Sequence, residues 1–142
     1  MKKKVMMLVL ATIAFAPAWS QSSDDERAVK EAVSHFAQSA DRQDAGALDK
    51  LLDANFRVIM NRLFGSTEVN VLTKDEYLEK IRAKEFGGET RKVRIEDVTI
   101  IGNTACAKVA FRGSQTSFTS FLQFVKTEDA HWRLVSDMPT LM

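Results

Sequence analysis

Apolar residues recur at intervals of three and four near the start of the chain. Between residues 28 and 40, alanine, valine and phenylalanine form one stripe at helical spacing. Ser23 followed by Glu26 is typical of a capping box, in which the two side chains satisfy the first free amides of a helix. The pattern therefore predicts an amphipathic helix over about 24–41.

Two shorter helices are predicted further along. The leucines of residues 44–52 fall on one side of a helix, and the turn-forming residues 53–55 are predicted to end it. A second capping box in residues 73–76 precedes another apolar helical face, which is predicted to run to about Lys84. Two consecutive glycines at 87–88 then break the pattern.

Elsewhere the period of the apolar positions is two, which indicates strands. Residues 56–64 and 68–72 predict a hairpin of moderate regularity around Gly65. Because the later connections are too short for parallel crossovers, the last strands are predicted to form an antiparallel meander. Helices followed by long strands indicate an α+β protein with helices on one face of a sheet. The four predicted strands of the meander are 93–101, 104–112, 115–127 and 131–138.

The first 20 residues have the features of a secretory signal peptide. Three lysines at 2–4 precede an apolar run over 5–15, and Ala18-Trp19-Ser20 is a small-x-small triplet with cleavage expected before Gln21. The apolar run is shorter than the roughly 20 residues needed to cross a bilayer. We therefore expect a periplasmic or secreted protein, with a single domain over 21–142 and no membrane segment after the leader is removed.

Composition narrows the range of partners. The 20 Lys and Arg residues nearly balance the 19 Asp and Glu residues, and three of the lysines lie in the leader. The remaining chain is slightly acidic, which argues against a nucleic-acid partner. The single cysteine, Cys106, excludes an intrachain disulfide and is expected to be a small buried side chain. His35 and His131 are far apart and have no metal-ligand spacing, so we expect no metal and no cofactor.

The order of the predicted elements resembles that of the nuclear transport factor two-like superfamily. The segment Phe121–Lys126, a charged turn and then His131–Val135 are similar to its closing hairpin, and the chain is most similar to the branch labelled SnoaL-like or lumazine-binding. The resemblance implies a cone-shaped α+β barrel, with three N-terminal helices packed on a curved antiparallel sheet. It also implies a tapered pocket for a small apolar or amphipathic molecule, and a homodimer through the other sheet face.

The ketosteroid-isomerase relatives in this superfamily provide a test for catalytic residues. An approximate ungapped matching places their phenol at Phe36, their carboxylate base on or beside Met60 and their protonated acid near Ser120. None of these three side chains can perform the corresponding step. The residues of that chemistry are therefore absent by this matching, and whether the chain is an enzyme stays open.

A set of five residues is expected to line the pocket and contact a ligand. Strict alternation places Asp137 on the same face of the last strand as Arg133 and Val135, and Trp132 on the opposite face. The alternative for Asp137 is a strand-end residue capped by backbone or paired with an arginine. The expected ligand-binding set is Phe36, Met60, Ser120, Leu122 and Asp137.

Three functions are compatible with these patterns. The first is an exported small-molecule-binding protein with no identified chemistry. The second is a hydratase, isomerase or cyclase that uses Asp137 with His35 or with an arginine. The third is a protein-interaction module that uses the exposed face of the sheet.

Overall fold

A computed structural model describes residues 18–142. Most of the expected signal peptide, residues 1–17, lies outside the described residues. Within the described part, no helix combines the length and apolar character needed to cross a membrane. The elements in chain order are α1 (Ala18–Asp41), α2 (Ala45–Leu51), β1 (Leu52–Asn61), β2 (Val69–Thr73), α3 (Lys74–Arg82), β3 (Lys92–Ile101), β4 (Thr104–Arg112), β5 (Ser117–Lys126) and β6 (Trp132–Leu141).

The strands of residues 18–142 form one six-stranded sheet in the order β2-β1-β6-β5-β4-β3. The predicted meander is confirmed, because β3 to β6 pair in sequence and antiparallel. One pairing differs from the all-antiparallel expectation: β1 lies beside β6 in parallel, so the sheet is mixed. Local patterns could not show this pairing, because it joins strands that are about 80 residues apart in the chain. The sheet is open rather than closed into a barrel.

The three helices pack on one face of this sheet, which confirms the α+β arrangement. The predicted stripe of α1 is buried, and the capping box of α3 forms between Thr73 and Glu76. We call the sheet face that carries the helices the inner face, and the opposite one the outer face. The largest fully buried side chains of the core are Phe56, Phe111, Phe124, Leu48, Leu52, Ile81, Leu122 and Leu134.

Two predicted boundaries are wrong. Helix α1 begins at Ala18, so Ser23 lies inside the helix instead of capping it. Residues 53–55 do not separate α2 from the first strand, because β1 starts at Leu52 directly after the helix. Their turn chemistry is nevertheless real: Asn55 N donates to Asp53 Oδ1 at 2.8 Å, and the register with β6 shifts in this stretch.

The segment between α3 and β3, residues 83–91, is tied to both layers, and we call it the strap. In the middle of the strap, Gly88 N donates to Asp41 O at 3.1 Å, at the C-terminal end of α1. Further along, Glu89 accepts hydrogen bonds from the β4–β5 turn, including one of 2.7 Å from Gln115 N. These amides hold the pKa of the Glu89 carboxyl below its usual range. The strap therefore fixes the end of α1 against the sheet.

Gly87 is the point of closest approach between the strap and α1. Its φ is +74°, and a Cβ added there would lie 2.0 Å from Ala40 O. Gly102, in the β3–β4 turn, also has a positive φ, +57°, but nothing within 4 Å of an added Cβ. Both glycines adopt a left-handed backbone conformation, but only Gly87 lacks space for a side chain.

We predict that Gly87→Ala lowers the free energy of unfolding by roughly 3 kcal/mol or more, since it adds a backbone clash to the left-handed strain. Gly102→Ala, the matched control, should cost about 1 kcal/mol because only the strain applies. Urea denaturation followed by circular dichroism measures both values. Equal losses in the two variants would contradict the close packing of the strap on α1.

Candidate functional site

A bulge in β6 turns Asp137 toward the core. Gln123 pairs with Ser136 and Phe124 pairs with Leu134, which leaves Val135 as an extra residue in β6. An extra residue reverses the alternation of side chains beyond it. Asp137 therefore lies on the inner face, and the predicted grouping of Asp137 with Arg133 and Val135 is wrong.

Asp137 and Ser120 are buried polar residues on the inner face. Asp137 pairs with Leu122 on β5. Ser120 is the inward-facing residue that precedes Leu122 on that strand. Ser120 is fully buried and Asp137 is 7% exposed. Within residues 18–142, neither Ser120 Oγ nor Asp137 Oδ1 has a hydrogen-bond partner.

Burial changes the acidity of this carboxyl group. Desolvation raises the pKa of Asp137 from 3.8 to about 6, while the nearby Ser120 hydroxyl and the charge of Arg91 partly oppose that rise. The hydroxyl is close enough to favour the ionised carboxylate, but its geometry falls outside that of a hydrogen bond. Asp137 can thus gain or lose a proton near neutral pH.

An aromatic cluster surrounds Tyr77 of α3. The Tyr77 ring lies 5.4 Å from Phe56 edge-on, 6.4 Å from Phe36 in a stacked arrangement and 6.1 Å from Phe86 of the strap, measured between ring centroids. Burial, and next the charge of Asp137, raise the pKa of the Tyr77 hydroxyl, so the phenol stays protonated. Tyr77 belongs to the same apolar core as Val58, which is the β1 neighbour of Asp137.

A buried ion pair joins the strap to α1 in the same region. Arg91 Nε donates to Asp41 Oδ1 at 2.7 Å, Arg91 Nη2 lies 2.7 Å from the same oxygen, and Arg91 N donates to Asp41 Oδ2 at 3.1 Å. The guanidinium carbon lies 5.1 Å from the ring centre of Phe111 and 5.3 Å from that of Phe118. Asp41 thus pairs with the charge that Arg91 brings to the interior.

The structure places the five predicted ligand-contacting residues on the core side of the fold. Phe36, Ser120, Leu122 and Asp137 are buried, and Met60 is half-buried against the core. Their role in ligand contact stays a prediction.

The other candidate positions do not join this group. His35 is exposed and lines the surface grooves on the outer side of α1, so the structure does not bring it to Asp137. Cys106 is half-buried instead of buried, and desolvation raises the pKa of its thiol. Among residues 18–142, no group of three His, Cys, Asp or Glu residues is arranged to hold a metal ion.

Tyr77 and the Asp41–Arg91 pair were not predicted as parts of this region. Tyr77 is the only tyrosine in the chain and lies on the apolar face of a capped helix, which was a usable signal. Arg91 and Asp41 are 50 residues apart. No local pattern could have paired them.

Comparison with known proteins supports the fold. A family model described as "Putative lumazine-binding" matches residues 24–138. An NTF-2 like protein of unknown function from Silicibacter pomeroyi is similar at a TM-score of 0.74, with 20% sequence identity over 85% of this chain and 98% of that chain. A second NTF2-like protein of unknown function, from Shewanella baltica, has a TM-score of 0.73 and 16% identity over 89% and 98% of the two chains.

A Nostoc punctiforme protein of unknown function with a cystatin-like fold is also similar, with a TM-score of 0.68 and 12% identity over 84% of this chain and 92% of that chain. No curated protein matches this sequence significantly. At these identities the solved structures inform the fold and leave the chemistry to the residues themselves.

We predict that Asp137 lowers stability as its proton is lost. A raised pKa in the folded state means that the contribution of Asp137 is favourable below about pH 4 and is lost as pH rises through about 6. A shift of about two units corresponds to about 3 kcal/mol. Relative to the unchanged protein, the unfolding free energy of Asp137→Asn should therefore rise by about that amount from pH 4 to pH 7, because only the unchanged protein loses the contribution of Asp137.

Urea denaturation at a series of pH values measures this difference. Asp97→Asn, at an exposed position on the outer face, controls for the loss of a carboxylate as such. A stability difference for Asp137→Asn that does not change with pH would contradict the buried, partly protonated carboxyl group.

Proposed function

Since the chain belongs to the family described as "Putative lumazine-binding", we propose that it binds a small amphipathic molecule between the helices and the inner face of the sheet. The polar end of that molecule meets Asp137 and Ser120. Its apolar part lies against the aromatic cluster of Tyr77.

The observation that carries this proposal is the pair of buried polar atoms without partners. Leaving a buried polar group unsatisfied costs about 1–3 kcal/mol, and more for a charged group. Asp137 Oδ1 and Ser120 Oγ both lie on the inner face, which packs against the core that contains Tyr77. A ligand that donates hydrogen bonds to them would recover this energy on binding, which makes the region a favourable place for a polar edge.

Lumazine has the features that such a region would recognise. It is a planar, bicyclic heteroaromatic molecule whose edge carries N–H donors and carbonyl acceptors. Asp137 accepts N–H groups, and the Ser120 hydroxyl both donates and accepts. The flat faces of the heterocycle would pack against aromatic rings such as those of Phe36 and Tyr77.

Acid–base catalysis is a second candidate, favoured by one observation. The pKa of Asp137, raised to about 6 by burial, suits a group that transfers protons near neutral pH. In a hydratase, isomerase or cyclase of this kind, Tyr77 would serve in place of His35 as a neutral hydrogen-bond donor to the substrate. Turnover of any bound carbonyl compound that disappears in Asp137→Asn would support this candidate over binding alone.

We also propose export through residues 1–20 and self-association through the outer face. That face exposes large apolar side chains, with Val71 at 53%, Phe121 at 50% and Met138 at 40%. A second copy of the chain would cover them, and a different protein partner is the alternative. Sedimentation equilibrium should show a dimer that Phe121→Lys dissociates, whereas a monomer at every concentration would contradict self-association.

Binding can be tested with lumazine itself. We predict saturable binding to the mature chain, and a loss of about tenfold or more in affinity in Asp137→Asn, because a hydrogen bond to a charged group contributes about 1.5–3 kcal/mol. The fluorescence of lumazine provides the readout, with calorimetry as confirmation.

Asp97→Asn is the matched control and should bind as the unchanged protein does, since Asp97 lies on the outer face. Absence of saturable binding, or equal affinity in Asp137→Asn, would contradict the proposed site for this ligand.

A further inference from the structure

We propose that the interior site selects ligands that present a positively charged nitrogen group, such as an amidinium or a protonated amine, to the Asp137 carboxylate. This inference rests on the proposed function and specifies the chemical class of its ligand. It follows from the kinds of hydrogen-bonding groups present, from the balance of buried charges, and from the desolvation already imposed by the fold.

The Asp137 carboxylate presents an acceptor that its neighbours on the adjacent strands do not fill. An ionised carboxylate only accepts hydrogen bonds, and Asp137 Oδ1 has no donor among the described residues. The cross-strand neighbours of Asp137 are Leu122 on β5 and Val58 on β1, whose side chains carry no donor. A ligand group made only of N–H donors therefore complements this oxygen better than a group that also carries acceptors.

The charges around Asp137 sum to a negative value when it is ionised. Arg91 is the cation that acts on it, and Asp41 holds that guanidinium in an ion pair at 2.7 Å. Tyr77, contributed by α3, stays a neutral phenol. With Asp41 and Arg91 cancelling, the ionised carboxylate leaves one uncompensated negative charge in the interior.

Folding has already removed water from this carboxylate. Binding a cation normally requires both partners to lose their hydration, and that cost can exceed the attraction between them. Here only the ligand must be desolvated, because Asp137 is buried before binding. Attraction in a medium of low dielectric then favours a cation over a neutral molecule of the same shape, and it opposes an anion.

Proton linkage gives this selectivity a pH dependence. Desolvation raises the pKa of Asp137 to about 6, with Arg91 and Ser120 opposing the rise, so acid conditions neutralise the carboxylate. A bound cation stabilises the ionised form, and its affinity should therefore fall as pH drops below 6. A neutral ligand should lose less affinity over the same range.

Benzamidine, benzamide and benzoate form a matched series for the test. They share one aromatic ring and differ in carrying a cationic, a neutral or an anionic group. Calorimetric titration of the mature chain at about pH 7.5 should give at least tenfold tighter binding of benzamidine than of benzamide, and no binding of benzoate; tenfold corresponds to about 1.4 kcal/mol.

The preference should shrink at about pH 5 in the unchanged protein, and it should disappear in Asp137→Asn but persist in Asp97→Asn. The comparison of pH 7.5 with pH 5 uses only the unchanged protein, so it tests the inference even if a variant folds poorly. Benzamide binding as tightly as benzamidine, or a benzamidine preference that survives in Asp137→Asn, would overturn the inference.

The two proposals fail separately. Lumazine binding that depends on Asp137, together with no preference for benzamidine, would overturn the charge selectivity and leave the binding site standing. No binding of lumazine or of any member of the series would contradict both.

Discussion

The direction in which one side chain of β6 faces decides the chemistry of the whole interior. Val135 is an extra residue in the pairing of β6 with β5, and it moves Asp137 from the outer to the inner face. Without that residue, strict alternation would place the carboxylate in solvent on the outer face of the sheet. The bulge is thus the constraint from which the raised pKa, the unsatisfied oxygen and the proposed ligand chemistry all follow.

The rest of the fold explains how such a costly group is tolerated. A large apolar core surrounds the site, and the Asp41–Arg91 ion pair ties the strap and α1 together beside it. Arg91 also packs on Phe111 and Phe118, so its position is held by aromatic contacts as well as by charge. The N-terminal half of α1 is attached to the sheet through Asp25, which accepts hydrogen bonds from Lys126 and Trp132. These two anchors hold α1 across the sheet that carries Asp137.

Local pattern was sufficient for most of the fold. The apolar stripe of residues 28–40, the capping box at Thr73 and the period-two strands after Arg91 each report a short-range preference that the structure retains. The features that escaped prediction depend on pairings between distant parts of the chain, namely the parallel contact of β1 with β6 and the partnership of Asp41 with Arg91.

The candidate site was only partly predictable for the same reason. Ser120 was selected through the isomerase matching and Asp137 as a carboxylate in the last strand, but the bulge at Val135 has no marker such as glycine in the sequence. Alternation alone therefore assigned Asp137 to the wrong neighbours. His35 was attractive as a titratable residue beside an apolar stripe, and one helical step was enough to place it in solvent.

The most direct test of this account is the titration of the Asp137 carboxyl group by carbon-detected nuclear magnetic resonance in the ligand-free protein. The account predicts a midpoint near pH 6, well above the ordinary value of 3.8. A midpoint near 3.8 would show that the carboxylate is solvated, and it would contradict the inward-facing Asp137 on which the proposed site depends.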